Sequence, residues 1–510
     1  MTTVVVVGGG TTGAIACGML CSSPVTKNWT IINVRSPKIP IIGVGESTTP
    51  FFMSAIQDMG IEKEFVEQTN AWPKYGAVFK GWSKENLVGG WAINGHRNDV
   101  LTYLEGLTEG QIVPRSSEYI HGGMYPYNDV DESFYNPVTL HIDAKETSEF
   151  LFEKYDPQMD KVLLGNVNQV VITEGTLNYI VVDGEVIEAD YFIDATGFKR
   201  VLINEFKPKF IESKLPCNSA LFINDEESEE FLGDIDWESR CEDMVTTATT
   251  GNAGWFWDIP LKVGRGQGYV YSSNFLTEEQ AIKEFSEHLG KDFEDYENGI
   301  LSYKPGWVDT PARGNCFAIG LAAGFLDALD SPSIAQTTTQ IGQLLRIWKH
   351  PRPQTVAPIE KFTEKELAAI PYRYSKFVSG FYEKLNEYLS LHYRTCLRTE
   401  PFWNSIEKFT EDELIDRYKN IIDSEPSEWR GFGGFLLSQS SRVINNRIMF
   451  DQKVASSIYD TLSKEEQQSV TKKVKTVPFS RDIFMKHVKY GNANIVQVDR
   501  QSWPVQVDRK

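Results

Sequence analysis

Three glycines near the start of the chain, Gly8, Gly10 and Gly13, carry the spacing G-x-G-x-x-G. They follow a β-branched run, TVVVV at 3–7, and lead into an apolar small-residue stretch from Thr11 to Leu20. That context gives the pattern its chemistry. The first glycine permits a tight turn, the second lets backbone approach a pyrophosphate, and the third lets helix and strand pack closely. The helix start adds N–H donors and the positive end of a dipole. The acidic residue that usually holds a ribose is missing: the second β run, Trp29 to Val34, ends in Asn33, Val34 and Arg35. Asn33 offers a hydrogen bond to a ribose and Arg35 a partner for a phosphate.

Two later segments narrow the dinucleotide. YFIDATG at 191–197 is an apolar strand ending in Asp-Ala-Thr-Gly, a pattern found where the chain of FAD oxidoreductases returns to the nucleotide domain. NCFAIGLAAGF, starting at Asn315, runs through Gly320 and resembles the segment that approaches a flavin ring. NAD domains lack both, so the three segments in order point to FAD.

GWFWDIP at 254–260 fits G-W-x-W-x-I-P, the hallmark of flavin-dependent halogenases of the tryptophan-halogenase type. The resemblance extends over most of the first 335 residues. GGGTTG at 8–13 is similar to the family's dinucleotide loop and IPIIGVGEST at 39–48 to its flavin strap. GRGQGYVYSSNF at 264–275 resembles the strand pair after the tryptophans, and FLDALDSPSI at 325–334 the segment beside halide and active site. The resemblance implies FAD, working as FADH2, held by Gly8, Gly9, Gly10, Thr12, Gly13, Arg35, Ser36, Ile39, Val44, Gly45, Glu46, Ser47, Asp194, Gly197, Gly320, Leu321 and Ile334.

It also implies a reaction. Reduced flavin and O2 give a hydroperoxide, a bound halide attacks its distal oxygen, and hypohalous acid travels to a lysine facing an electron-rich aromatic substrate. Lys74, in NAWPKYGAVFKGW, aligns with that lysine, and Lys80 is the second candidate. Trp255 and Trp257 would wall the flavin off from the substrate. The family carries Glu-Ser where this chain has Asp330-Ser331. A carboxylate is kept, suited to polarising the halogenating species or taking the ring proton; a structural alternative is capping of the following helix. The family's halide rests on two backbone amides after the serine. Here these positions are Pro332 and Ser333, and proline has no N–H. Ser333 is the surviving donor, which favours a softer, weakly hydrated halide: bromide or iodide over chloride.

SEWRGFGGFLLSQ at 427–439 lacks the aromatic and acidic pattern that grips free tryptophan, and its glycine run at 431–434 suggests an open site. An indole, phenol or other electron-rich aromatic is the expected substrate, and free tryptophan a poor one. No NADPH motif is evident, so a separate flavin reductase is the implied partner. The alternatives are an FAD-dependent aromatic monooxygenase and a non-catalytic FAD-binding protein, in which Arg35, Asp330 and Pro332 would mark lost chemistry.

The elements that position these residues read as an α/β fold. A doubly wound, GR2-like FAD-binding domain covers 1–350, interrupted by substrate-domain insertions at about 85–140 and 205–280. Region 85–140 reads as loops and substrate-domain pieces. Residues 168–194 alternate in the β manner, with Asp183-Gly184 as a hairpin turn. From 351 to 510 the chain is mainly helical, with amphipathic segments at 359–370, 376–390, 410–423 and 451–475. The pentapeptide VQVDR occurs at 496–500 and 505–509 and reads as a small hairpin or a tail.

Composition bounds the rest. A net charge of −19 over 510 residues argues against nucleic acid, because phosphate binding is driven by Lys and Arg. The six cysteines show no zinc spacing and no disulfide framework. Neither a leader pattern nor an apolar run of the roughly 20 residues needed to span a bilayer is present. A cytoplasmic protein without a metal site or membrane partner is expected.

Overall fold

The computed structural model describes residues 1–38, 45–83, 87–90, 124–128, 133–134, 139–225, 240–350, 364–425, 431–448, 452–464, 467 and 475–478. Two sheets organise it. The first has six strands in the order Lys161–Leu164, Thr30–Arg35, Thr3–Val7, Tyr191–Asp194, Cys316–Ala318 and Ala312–Arg313. Its first five strands run parallel and the last turns back in a hairpin. Val4, Val5 and Val6 are fully buried at its centre, as expected of a parallel strand covered on both faces. Helices Thr11–Ser22, Ala144–Tyr155 and Pro332–Lys349 pack together beside this sheet.

The second sheet has seven strands, with Gly254–Pro260 between Thr246–Thr250 and Arg265–Tyr271. Trp257 lies opposite Gly268. A Cβ on Gly268 would fall 2.1 Å from the Trp257 ring, so glycine there makes room for the indole. A short third sheet sets Thr139–Asp143 between Gly45–Ser47 and Trp72–Lys74. It ties the end of the 39–48 segment to Lys74.

Region 205–280 supplies the middle of the seven-stranded sheet. In 85–140, much of which lies outside the described residues, strands stand where loops were expected. Leu87–Gly90 pairs with Gly76–Lys80, and Met124–Asn128 with Lys475–Pro478. These partners are distant in sequence or short, which is why local periodicity does not reveal them.

The helical region differs from expectation in two places. Segment 376–390 and the described part of 359–370, from Glu364 on, belong to one helix, Glu364–Thr395, which continues through Pro371. Proline removes one helical hydrogen bond. A buried stripe beyond it, Tyr374, Val378, Tyr382, Leu385, Leu389 and His392, holds the helix against the core. The glycine run at 431–434 forms the first turn of helix Gly431–Ile448. Among its described residues, segment 451–475 is helical over Gln452–Tyr459 and again at Lys464 and Gln467, with a turn between, and strand begins at Lys475. Helix Glu411–Ile422 matches its segment and starts with a Thr410–Glu413 capping box. One hydrophobic core runs from Val4 to Ile458, so these helices share it with the nucleotide sheet. Among the described residues no helix is long and apolar enough to cross a membrane.

Candidate active site

A cavity of about 570 Å³ opens at the carboxyl ends of the parallel strands and reaches the second sheet. Gly8, Gly9, Gly10, Thr11 and Thr12 line one end. Gly8 has φ +152°, and a Cβ there would lie 2.4 Å from the Ala195 carbonyl oxygen. A Cβ on Gly13 would lie 2.4 Å from the Gly8 carbonyl oxygen, so Gly13 packs helix to strand behind the lining. Gly10 caps helix Thr11–Ser22 without a side chain. A Cβ at Gly10 would meet nothing within 4 Å, so its outer side faces open space. Bare backbone at a helix N-terminus beside open space fits a pyrophosphate. This cradle, together with the size of the cavity, is consistent with FAD.

The other expected cofactor residues divide. Ser36, Gly45, Glu46, Ser47, Gly197, Leu321 and Ile334 line the cavity. Ile39 and Val44 lie outside the described residues. Arg35 is not part of the lining: it pairs with Asp156 and lies 3.8 Å over the Phe152 ring. Asn33 is buried beneath the loop, where it donates to the carbonyls of Val6 and Gly8. It supports the glycine turn instead of facing the cavity. Asp194 likewise faces inward and accepts from the amides of Thr196, Leu202 and Ile203. It shapes the loop that places Gly197. Gly320, at φ +55°, donates to Gln340 and abuts Thr12, leaving its neighbour Leu321 on the lining. Burial, with Asp143 adding to it, pushes the Glu46 carboxyl up to about 7.

Trp255 and Trp257 form part of the opposite wall, with ring centroids 6.2 Å apart. Nearby, the chain enters helix Pro332–Lys349 through two successive non-glycine residues of positive φ, Asp330 at 60° and Ser331 at 64°. Such left-handed residues cost on the order of 1 kcal/mol each. Ser331 stands at the N-cap but makes no side-chain capping bond, and Pro332 takes the first helical position. The capping role weighed for Asp330-Ser331 is not seen. Ser333 and Ile334, the next two residues, line the cavity with their amides in the uncapped first turn.

Lys74 meets Ser331. It ends strand Trp72–Lys74, is fully buried, and its Nζ donates to the Thr48 carbonyl at 3.0 Å and to Ser331 Oγ at 3.1 Å. Burial pushes its ammonium down to about 7, against the pull of Asp330 and with the push of Arg442. That brings the neutral amine within reach near neutral pH. Lys80, at the exposed end of Gly76–Lys80, has no such surroundings.

Asp330 belongs to the same cluster. Its Oδ2 accepts from the Tyr388 hydroxyl and from Arg442 Nη2 at 3.3 Å. Burial pushes its carboxyl up, but Arg442, Lys74 and Tyr388 outweigh burial and hold it below its ordinary value. His392 Nε2 lies 3.1 Å from the same hydroxyl and stacks on Phe79. Three residues earlier, Asp327 accepts from Tyr393 at 2.6 Å, and burial pushes it up to about 6. Thr48, Asp327, Tyr388, His392 and Arg442 were not singled out in the sequence. The only signal was the i,i+4 spacing of Tyr388 and His392 and a lone arginine in LLSQSSRVI.

Comparison with known proteins identifies the family. The tryptophan halogenase family model matches residues 3–99 and 124–466. Tryptophan 6-halogenase SttH from Streptomyces toxytricini is 26% identical over 476 residues, covering 83% of this chain and 85% of that protein. Tryptophan 7-halogenase RebH from Lentzea aerocolonigenes is 26% identical over 466 residues, 82% of this chain and 81% of that one. The crystal structure of a tryptophan halogenase from Shewanella frigidimarina superposes with a TM-score of 0.73 at 22% identity, covering 96% of this chain and 98% of that one. The flavin-dependent halogenase BrvH from Brevundimonas sp. BAL3 gives 0.69 at 22% identity, covering 92% and 98%. The chain belongs to the tryptophan halogenase family and is a flavin-dependent halogenase, an oxidoreductase.

Proposed function

We propose that this halogenase takes reduced FAD from a separate flavin reductase, makes hypohalous acid from O2 and halide, and halogenates an electron-rich aromatic other than free tryptophan. The observation that carries the reading is Lys74, a fully buried lysine whose Nζ is held by Ser331 beside Asp330 at the cavity's edge. Gly8–Thr12, Ser36 and Gly45–Ser47 would hold FAD, which when bound would supply the electrons that activate O2. Trp255 and Trp257 separate that chemistry from the aromatic substrate and keep water out. Of the two positions after Ser331, Ser333 offers its amide to a halide and Pro332, at the first helical position, offers none. Fewer donors compensate less for lost hydration, which disfavours chloride, the most strongly hydrated of the three halides.

Lys74 receives hypohalous acid. As ammonium it orients the acid by hydrogen bonding, and as amine it carries the halogen covalently. Asp330 takes the ring proton. The substrate class rests on the 427–439 segment, which lacks a tryptophan-gripping pattern. The test is steady-state formation of hypohalous acid with FAD, a flavin reductase, NADH and each halide, read with a chemical trap. Bromide or iodide turning over faster than chloride supports the halide reading, and equal rates at equal concentration overturn it. Micromolar affinity for tryptophan with turnover would overturn the substrate reading. Oxygen added to an aromatic in place of halogen would make the protein a monooxygenase.

A further inference from the structure

Two residues of the C-terminal helices touch Asp330 in a way the reaction has so far not used. Tyr388 comes from helix Glu364–Thr395 and Arg442 from helix Gly431–Ile448. Both bonds fall on the same carboxylate oxygen, Oδ2. Among the described residues the other oxygen, Oδ1, is buried without a hydrogen-bond partner. An unpartnered buried carboxylate oxygen is costly unless something uses it. The donors are also ordered. A carboxylate only accepts, so the Tyr388 hydroxyl donates to Asp330. Its oxygen then accepts from Arg442 Nη2 at 3.4 Å and from His392 Nε2 at 3.1 Å. That leaves His392 protonated on Nε2, and burial holds it neutral, its pKa down at about 3.

We propose that Tyr388 and Arg442 are positioning residues for the halogenation step: they pin Oδ2 of Asp330, keep Asp330 an anion, and leave Oδ1 as the oxygen that takes the ring proton. This rests on the halogenase reading above. The step balances. Ring π electrons form the carbon–halogen bond as the oxygen–halogen bond of hypohalous acid breaks and hydroxide leaves. The ring C–H bond then breaks, its electron pair restores the aromatic ring, and the proton passes to Oδ1. Hydroxide takes that proton as water, so arene and hypohalous acid give haloarene and water. The left-handed backbone at Asp330 and Ser331 fits this role. It lets adjacent side chains serve different partners, Asp330 bound by the two helices and Ser331 by Lys74.

The charged and titratable groups around the carboxylate come from every element packed on it. They are Lys74 from its strand, Tyr388 and His392 from one helix, and Arg442 from another; His141, on Thr139–Asp143, feels Lys74 from behind. Of these, Tyr388 can be altered without changing any charge.

The test uses Tyr388→Phe, with Arg442→Lys as the charge-preserving companion. With Tyr388→Phe, kcat for arene halogenation falls about 10-fold, the loss of one hydrogen bond to a charge. KM for the arene and the rate of hypohalous acid formation stay unchanged. The acid limb of the pH profile moves up by at least about half a unit, because the carboxylate has lost a donor. Arg442→Lys keeps the wild-type limb. An infrared difference titration of the Asp330 carboxyl, with Asp330→Asn as blank, shows the same upward shift without turnover. Equal loss of hypohalous acid formation and arene halogenation, with limb and infrared titration unmoved, overturns the proposal in favour of a merely structural role. No hypohalous acid from the unmodified protein would overturn the halogenase reading and the catalytic role with it, even where the infrared shift appears.

Discussion

The nucleotide loop and the Lys74 cluster are built in opposite ways. The loop is six consecutive residues acting through bare backbone, where Gly8 and Gly13 admit contacts that a Cβ would close at 2.4 Å. The cluster gathers the Thr48 carbonyl and the side chains of Lys74, Asp330, Ser331, Tyr388, His392 and Arg442 from separate places in the chain. The loop works by shape and stabilises the fold that makes it. The cluster works by burying charge, and removing charge from water opposes folding. The first should therefore lose stability together with binding when altered, and the second should gain stability as it loses activity.

The largest expected effect is at Lys74. Lys74→Met lowers arene halogenation at least about 100-fold, the scale of a proton-managing residue, while hypohalous acid still forms. Its Tm rises by about 1–3 °C at neutral pH. The pH dependence gives the sign. The Lys74 pKa is about 7 in the folded chain against an ordinary 10.5. Between these values the unfolded chain holds the extra proton, so wild-type stability rises with pH across that window. The Tm gap between Lys74→Met and wild type is therefore widest at pH 7 and below, and closes towards pH 10. A thermal-shift series settles it, and a gap independent of pH would break the contrast with the loop.

Next comes Gly13→Ala. Its Cβ meets the Gly8 carbonyl, so the chain loses about 1–3 kcal/mol and FAD affinity falls in parallel. Denaturant melts and a flavin fluorescence titration read the two together. A variant that keeps its stability but not FAD would show that the glycine serves the ligand alone. The smallest effect is at Pro332→Gly, which restores an amide at the first helical position. A hydrogen bond to an ion contributes about 1.5–3 kcal/mol, so chloride turnover gains about 10-fold relative to bromide. An unchanged halide ratio would remove the proline from the halide account.

Legibility in the sequence follows the same divide. Local elements were readable: the Thr3–Val7 strand, the helix after the glycines, and the Asp183-Gly184 turn, whose positive φ values of 46° and 93° suit a tight hairpin. Motifs singled out Lys74, Asp330 and Ser331, which the fold brings together. Tyr388 and Arg442 were not, because their meaning depends on two helices converging on a loop far away in sequence. Arg35 was misplaced for a related reason: Asp156, its partner, is 121 residues away. Pro371 misled in the other direction, since a buried stripe outweighs one missing hydrogen bond.

The most direct test of Lys74 is mass spectrometry of a small aromatic panel incubated with the protein, FAD, a flavin reductase, NADH and bromide, with Lys74→Ala in parallel. The account predicts a bromine mass shift from the wild type that vanishes in Lys74→Ala, while both proteins release the same hypobromous acid to a trap. Equal bromination by the variant would show that free hypobromous acid does the work and that Lys74 is not the halogenating residue.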